Sequence, residues 1–338
     1  MSKSPVLRVE PLGFPWQCQD PFLFTVHHED DYPAGNAHLG PKASLEGRAR
    51  GQDFDPSEHW RMYHGRLVPG FPAHPHRGFE TVTVVRKGLV DHSDSLGATG
   101  RFGNGDTQWM TAGAGVQHSE MFPLVNTGRG NPLELFQIWL NLPSASKGVA
   151  PYYTMLWSEE VPKVAHIDTA GGRTDVEVIA GPLGGADPLP PPPDSWAADP
   201  DHALAIWVIR MDAGAEWTLP ASPPGVNRTL FFFKGATLDA VGTAVTAGSS
   251  VSLASDHVVT LNNGNAESHL LLLQGRPIGE PVVSAGPFVM NTQTEIEQAY
   301  ADFRRTQFGG WPWRTSDPVH PRLQGRFARY PDGKVVVR

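Results

Sequence analysis

Short runs of β-branched and aromatic residues, each closed by a glycine-bearing turn, recur along this chain and leave little length for helices. Residues 81–86, 89–94, 106–110, 116–122 and 133–142 read as strands. Lys87-Gly88, 96–100 and Ala112-Gly113-Ala114-Gly115 are the turns between them. A second series follows at 203–211, 228–233, 249–254, 257–262 and 269–274. Strands this short and closely spaced predict an all-β sandwich or barrel rather than alternating β and α units. The 36 glycines and 32 prolines agree, since turns consume them and helices do not.

A length of 338 residues predicts two domains, at roughly 100–200 residues each. Residues 181–201, with Pro190-Pro191-Pro192-Pro193 at their centre, break the strand pattern and read as a stiff polyproline connector. The expected division is therefore an N-terminal barrel over 1–180, a linker over 181–201, a second barrel over 202–290, and a helix with an extended tail over 291–338. The helix is signalled by Thr294 and Glu297 at capping-box spacing, by Ile296, Tyr300 and Phe303 on one face, and by Gly309-Gly310 as its stop.

Charge and cysteine usage narrow the function. The formal charge is −8 and no block of Lys and Arg stands out, which argues against direct nucleic-acid binding. No apolar run approaches the ~18 residues of a membrane span. The first residues lack the apolar stretch of a secretory signal, so a cytoplasmic location is expected. Cys18 is the one cysteine, so a metal site in this chain must draw on His, Asp or Glu.

Two segments have that character. One runs Pro72-Ala73-His74-Pro75-His76-Arg77-Gly78-Phe79-Glu80, the other Gly113-Ala114-Gly115-Val116-Gln117-His118-Ser119-Glu120-Met121. On an extended chain, residues i and i+2 point the same way, so His74 shares a face with His76, and His118 with Glu120. A small barrel can bring both faces to one interior point. Three neutral imidazoles and a carboxylate suit iron, zinc, nickel, copper or manganese. Glu80 has the same parity as His74 and His76 and is a rival carboxylate on spacing alone. Gly70 and residues 113–115 are expected to leave room beside the ion for a flat ring.

These segments resemble the pirin family of the cupin superfamily. The resemblance rests on His74-Pro75-His76-Arg77-Gly78-Phe79-Glu80-Thr81-Val82 and on Gly105-Asp106-Thr107-Gln108-Trp109-Met110-Thr111-Ala112-Gly113 leading to His118 and Glu120-Met121. Asp20-Pro21-Phe22-Leu23 and Gly286-Pro287-Phe288-Val289-Met290-Asn291-Thr292 resemble the family's outer segments. It implies two tandem cupin-type β-barrels of jelly-roll form with a few short helices. It also implies one divalent metal ion per chain, iron(II) being expected, on His74, His76, His118 and Glu120. That set favours Glu120 over Glu80, which is left as a candidate beside the ligands.

The activity implied is a dioxygenase cleaving flavonols such as quercetin, with Glu120 accepting the substrate's proton. The alternative is an iron-dependent redox-sensing regulator that binds a transcription factor or another protein. Two features depart from the pattern: residues 35–68, which lengthen the approach to the first ligand, and the tail beyond Gly310. The second barrel lacks a counterpart of the ligand set, having Trp217-Thr218-Leu219-Pro220 where a His pair would stand.

Overall fold

Alternation of large apolar and small or polar residues decides which way each strand faces, and the alternation differs between the two halves. A computed structural model describes residues 4–338. It divides into two compact units. One comprises the described residues up to Thr25 together with Glu159–Gly279; the other comprises Val26–Ser158 and Glu280–Arg338.

In the first of these, an antiparallel seven-stranded sheet runs in the order Val6–Pro11, Ser249–Leu253, Asn227–Lys234, Ser268–Gly275, Ala205–Met211, Arg173–Ala180 and Lys163–Ile167. A four-stranded sheet of Glu216–Leu219, Val259–Asn263, Thr237–Ala240 and Thr243–Thr246 packs against it. Every second residue turns inward: Trp207 and Ile209 or Leu270 and Leu272 from the large sheet meet Trp217 and Leu219 from the small one. That interior is mostly apolar, and at one end of the same rows Arg228 donates to Gln274 at 2.7 Å.

In the other unit, one sheet orders Tyr152–Leu156, Thr107–Thr111, Phe79–Lys87, Asn131–Asn141 and Phe22–Tyr32. The facing sheet orders Val335–Val337, Phe327–Arg329, Thr99–Gly103, Leu89–Asp94, Val116–Met121 and Gly70–His76. Val85, Leu135 and Met155 from one sheet pack on Val90 and Phe102 from the other. Two residues further along the same inward-facing rows, Val85 gives way to Thr83 and Leu135 to Gln137. This barrel is apolar at one end and polar at the other, and the polar end holds the candidate site.

Several boundaries differ from the sequence reading. The division between units falls within the strand Phe22–Tyr32 and again after Ser158, not in the Pro-rich stretch. Lys163–Ile167 and Arg173–Ala180, which precede that stretch, pair into the seven-stranded sheet because Arg173–Ala180 is registered along Ala205–Met211. The tail is not merely extended: Phe327–Arg329 adds to Thr99–Gly103, and Val335–Val337 adds to it in turn.

The helix Gln293–Thr306 is capped by Thr292, two residues before the expected cap. Thr292 accepts from the Glu295 amide while the Glu295 carboxylate accepts from the Thr292 amide, a reciprocal box contributing about 1 kcal/mol. It ends at Gln307 in the left-handed conformation, ahead of the glycine pair. Its face of Ile296, Ala299, Tyr300 and Phe303 packs on Phe288 and Met290. No helix among the described residues is long and apolar enough to cross a membrane.

Candidate metal centre

The strand Gly70–His76 pairs antiparallel with Val116–Met121, and its register slips at Pro72-Ala73. Phe71 stands opposite Glu120 and His74 opposite His118, so two residues bulge out against one. The bulge restores parity: Phe71, His74 and His76 face one side despite their uneven spacing. The ring centroids of His74 and His118 lie 4.5 Å apart, those of His74 and His76 4.8 Å, and those of His76 and His118 4.9 Å. Donor nitrogens of the three lie within 4.8 Å of one another, and no other such group of three or more His, Cys, Asp or Glu is gathered among the described residues.

Hydrogen bonding assigns one of the donors. The Nδ1 of His74 is 2.9 Å from the Pro72 carbonyl, which can only accept, so Nδ1 carries the proton and Nε2 keeps its lone pair. Neither ring nitrogen of His118 has a hydrogen-bond partner, and His76 has only the Pro287 carbonyl, an acceptor that leaves a ring lone pair free, although both side chains are buried. Buried polar atoms are nearly always satisfied, and imidazole lone pairs converging without donors are the arrangement a borderline divalent cation fills. Burial holds all three rings neutral: it lowers His74 to about 4, with the positive forms of His64 and His92 adding to the effect, and takes His76 and His118 well below the ordinary imidazole range. Neutral imidazole is the ligating form.

Glu120 lies on the same face, with Oε2 3.9 Å from His118 Nε2. Its oxygens are held by the barrel wall: Thr83 Oγ1 donates to Oε1 at 3.1 Å and Gln137 Nε2 to Oε2 at 2.6 Å. Burial raises its pKa, opposed by His92, Thr83 and Gln137.

A pirin model matches residues 16–140, and a pirin C-terminal cupin domain model matches residues 206–309. The chain belongs to the pirin family. A Pseudomonas aeruginosa protein provisionally named quercetin 2,3-dioxygenase is 36% identical over 84% of this chain and 92% of its own length. Human pirin is 36% identical over 78% of this chain and 86% of its own. Among solved structures, a quercetin 2,3-dioxygenase from Acinetobacter baumannii superposes with a TM-score of 0.67 at 30% identity, covering 86% of this chain and 87% of that one. The two-barrel cupin fold follows.

Within this pirin-family chain, Glu80 does not join the imidazoles. The chain turns at Gly78, where φ is +85°, and a new strand begins in the opposite sheet. There Thr83 faces the interior toward Glu120, so Glu80 is on the other face, where Thr111 donates to it at 2.6 Å. The room expected from glycines is also taken. A Cβ at Gly70 would strike the Glu120 carbonyl, one at Gly113 the Val149 carbonyl, and one at Gly115 the ring of Phe308. Arg77, beside the motif, pairs with Asp302 of the helix at 2.8 Å.

Three interior residues were missed: Gln137, Thr83 and His92. His92 stands opposite Glu120, bonds Asp94 at 3.2 Å and stacks on Tyr153. Its alternation with Asp94 in Asp91-His92-Ser93-Asp94 was a usable signal. Gln137 and Thr83 carried none, because their role depends on pairing between distant strands.

Proposed function

We propose that this protein is a mononuclear metal-dependent dioxygenase acting on flavonols such as quercetin, with one ion held by His74, His76, His118 and Glu120, and iron(II) as the working metal. The observation that carries the reading is the convergence of three neutral, buried imidazoles whose lone pairs lack donors, next to one buried carboxylate. A metal held there supplies Lewis acidity that favours the ionised form of a substrate hydroxyl. Glu120 is the group that accepts the proton so released. Its Oε2 lies 3.9 Å from His118 Nε2, at the centre where that proton is released. Gln137 can follow the proton, because an amide presents either an N–H or a carbonyl to the same oxygen. Thr83 keeps the other oxygen in place throughout. The buried walls around His76 and His118 exclude bulk water from this proton transfer. The names of the bacterial relatives support the substrate class.

The test is oxygen uptake together with loss of flavonol absorbance, using protein loaded with iron(II) and a free-metal control. Turnover by wild type and its abolition in His118→Ala are expected. Absence of both signals in metal-loaded wild type would overturn the reading, leaving metal-state-dependent capture of a protein partner as the alternative to pursue.

A further inference from the structure

Residues 35–68 fold back on the strand that carries His74. The contact is aromatic. Tyr63 lies nearly parallel to Phe71, with ring centroids 5.1 Å apart and planes 29° apart. Phe54 meets Tyr63 edge-on at 5.4 Å and His64 at 4.9 Å, and His64 meets Phe71 at 5.8 Å. Phe71 is in turn 6.3 Å from His74, on the same face of its strand because of the Pro72-Ala73 bulge.

The cluster has a fixed base and an open top. Tyr63 is buried, and its hydroxyl donates to Asp30 at 2.7 Å and bonds His28 at 2.8 Å. Asp30 is locked in turn by Arg61 at 2.9 Å. Phe54, by contrast, is 39% exposed, Phe71 is half-buried and His64 is exposed. The Nδ1 of His64 is 2.7 Å from the Gly51 carbonyl, which fixes the proton on that nitrogen and leaves Nε2 as an acceptor. Small-molecule sites commonly combine apolar walls with a few placed polar groups of this kind.

Resting on the proposed function, we infer that residues 35–68 build a recognition ledge for a polyhydroxylated aromatic: Phe54 and Phe71 take the face of a ring whose hydroxyl addresses the metal centre, and His64 Nε2 accepts a hydrogen bond from a second hydroxyl of the same molecule. His64 and Phe54 are specificity-determining residues, outside the ligand set. A site built to bond a hydroxyl discriminates against the analogue that lacks it.

Binding is measured without oxygen, on metal-loaded protein, from the flavonol absorbance shift. Quercetin is compared with 3-hydroxyflavone, which keeps the flavonol hydroxyl and lacks the catechol. His64→Ala should weaken quercetin binding about 3–10-fold and leave 3-hydroxyflavone unchanged. Phe54→Ala should weaken both about 3–10-fold. Metal content should match wild type in both variants, and His64→Gln should recover part of the quercetin affinity. Equal affinity of His64→Ala and wild type for both compounds overturns the ledge, as does an equal loss for both, or no flavonol binding by wild type. Selective loss in the variants of a wild type that consumes no oxygen would sustain the ledge and remove the dioxygenase reading. Turnover that neither substitution alters would do the reverse.

Discussion

Glu120 Oε2 and His118 Nε2 are 3.9 Å apart, yet the carboxylate is held by Gln137 and Thr83 rather than turned toward the imidazoles. The candidate fourth ligand is therefore governed by two side chains from the opposite sheet.

Gln137→Leu should lower metal affinity about 10–100-fold, the usual effect of removing a partner behind a ligand. Glu120→Gln should lower it further, and Glu80→Gln should leave it within about twofold, because Glu80 lies on the other face of its strand with Thr111. Competition with a chelator and elemental analysis measure all three, and wild type should hold one ion per chain. A Glu80→Gln protein stripped of metal would refute the assignment.

The imidazoles make the metal-free protein acid-sensitive. Burial lowers His74 to about 4 and His28 to about 3, and takes His76 and His118 well down, against an ordinary value of 6.5. Above pH 6.5 both folded and unfolded chains carry these rings neutral. Below it, the unfolded chain takes up protons that the folded chain refuses, so stability falls by about 1.4 kcal/mol per pH unit for each such ring until its folded pKa is reached. The Tm of metal-free protein should drop steeply from pH 6.5 to 4, and less steeply in His74→Gln. A flat profile would contradict the burial of these rings.

Much of this site was legible because its signals are local. His-x-His and His-x-Glu on strands fix their own parity, and the fold places His74 opposite His118 as one face requires. What escaped depends on partners far away in sequence. Glu80 follows the parity of His76 only until Gly78 turns the chain. Val6–Pro11 is a strand by virtue of Ser249–Leu253, and Phe327–Arg329 by virtue of Thr99–Gly103. Gly115 reads as open space until Phe308 is found filling it.

Arg101 anchors the tail. It is buried, bonds Asp91 at 2.6 and 2.8 Å, and donates to the carbonyls of His320, Pro321 and Gln324 at 2.9 Å each. Arg101→Leu leaves these carbonyls without the guanidinium and the buried Asp91 charge with only the His320 amide, and should cost about 3–5 kcal/mol. Urea unfolding reads the loss. Faster amide exchange over residues 320–329 than elsewhere would locate it, and exchange unchanged there would count against the anchor.

Gly115 has φ of +132°, and a Cβ on it would lie 2.6 Å from the Phe308 ring. Gly115→Ala should cost about 1–3 kcal/mol from overpacking, in addition to backbone strain. Phe308→Ala in the same chain should recover part of that cost, so the double variant is more stable than the sum of the singles predicts. Strict additivity in thermal unfolding would mean the ring does not occupy this position.

The interleaving of the two units along the chain has a consequence for how the protein can be made. The seven-stranded sheet needs Val6–Pro11 at one edge and Ser268–Gly275 near its middle, and the metal-site barrel takes in Phe327–Arg329 and Val335–Val337. A ribosome that has delivered the first 180 residues has delivered every proposed ligand, but neither barrel in full. Cutting the gene at the Pro-rich stretch therefore yields two fragments that each hold strands the other lacks. The smallest piece of this chain that carries both barrels complete is nearly all of it.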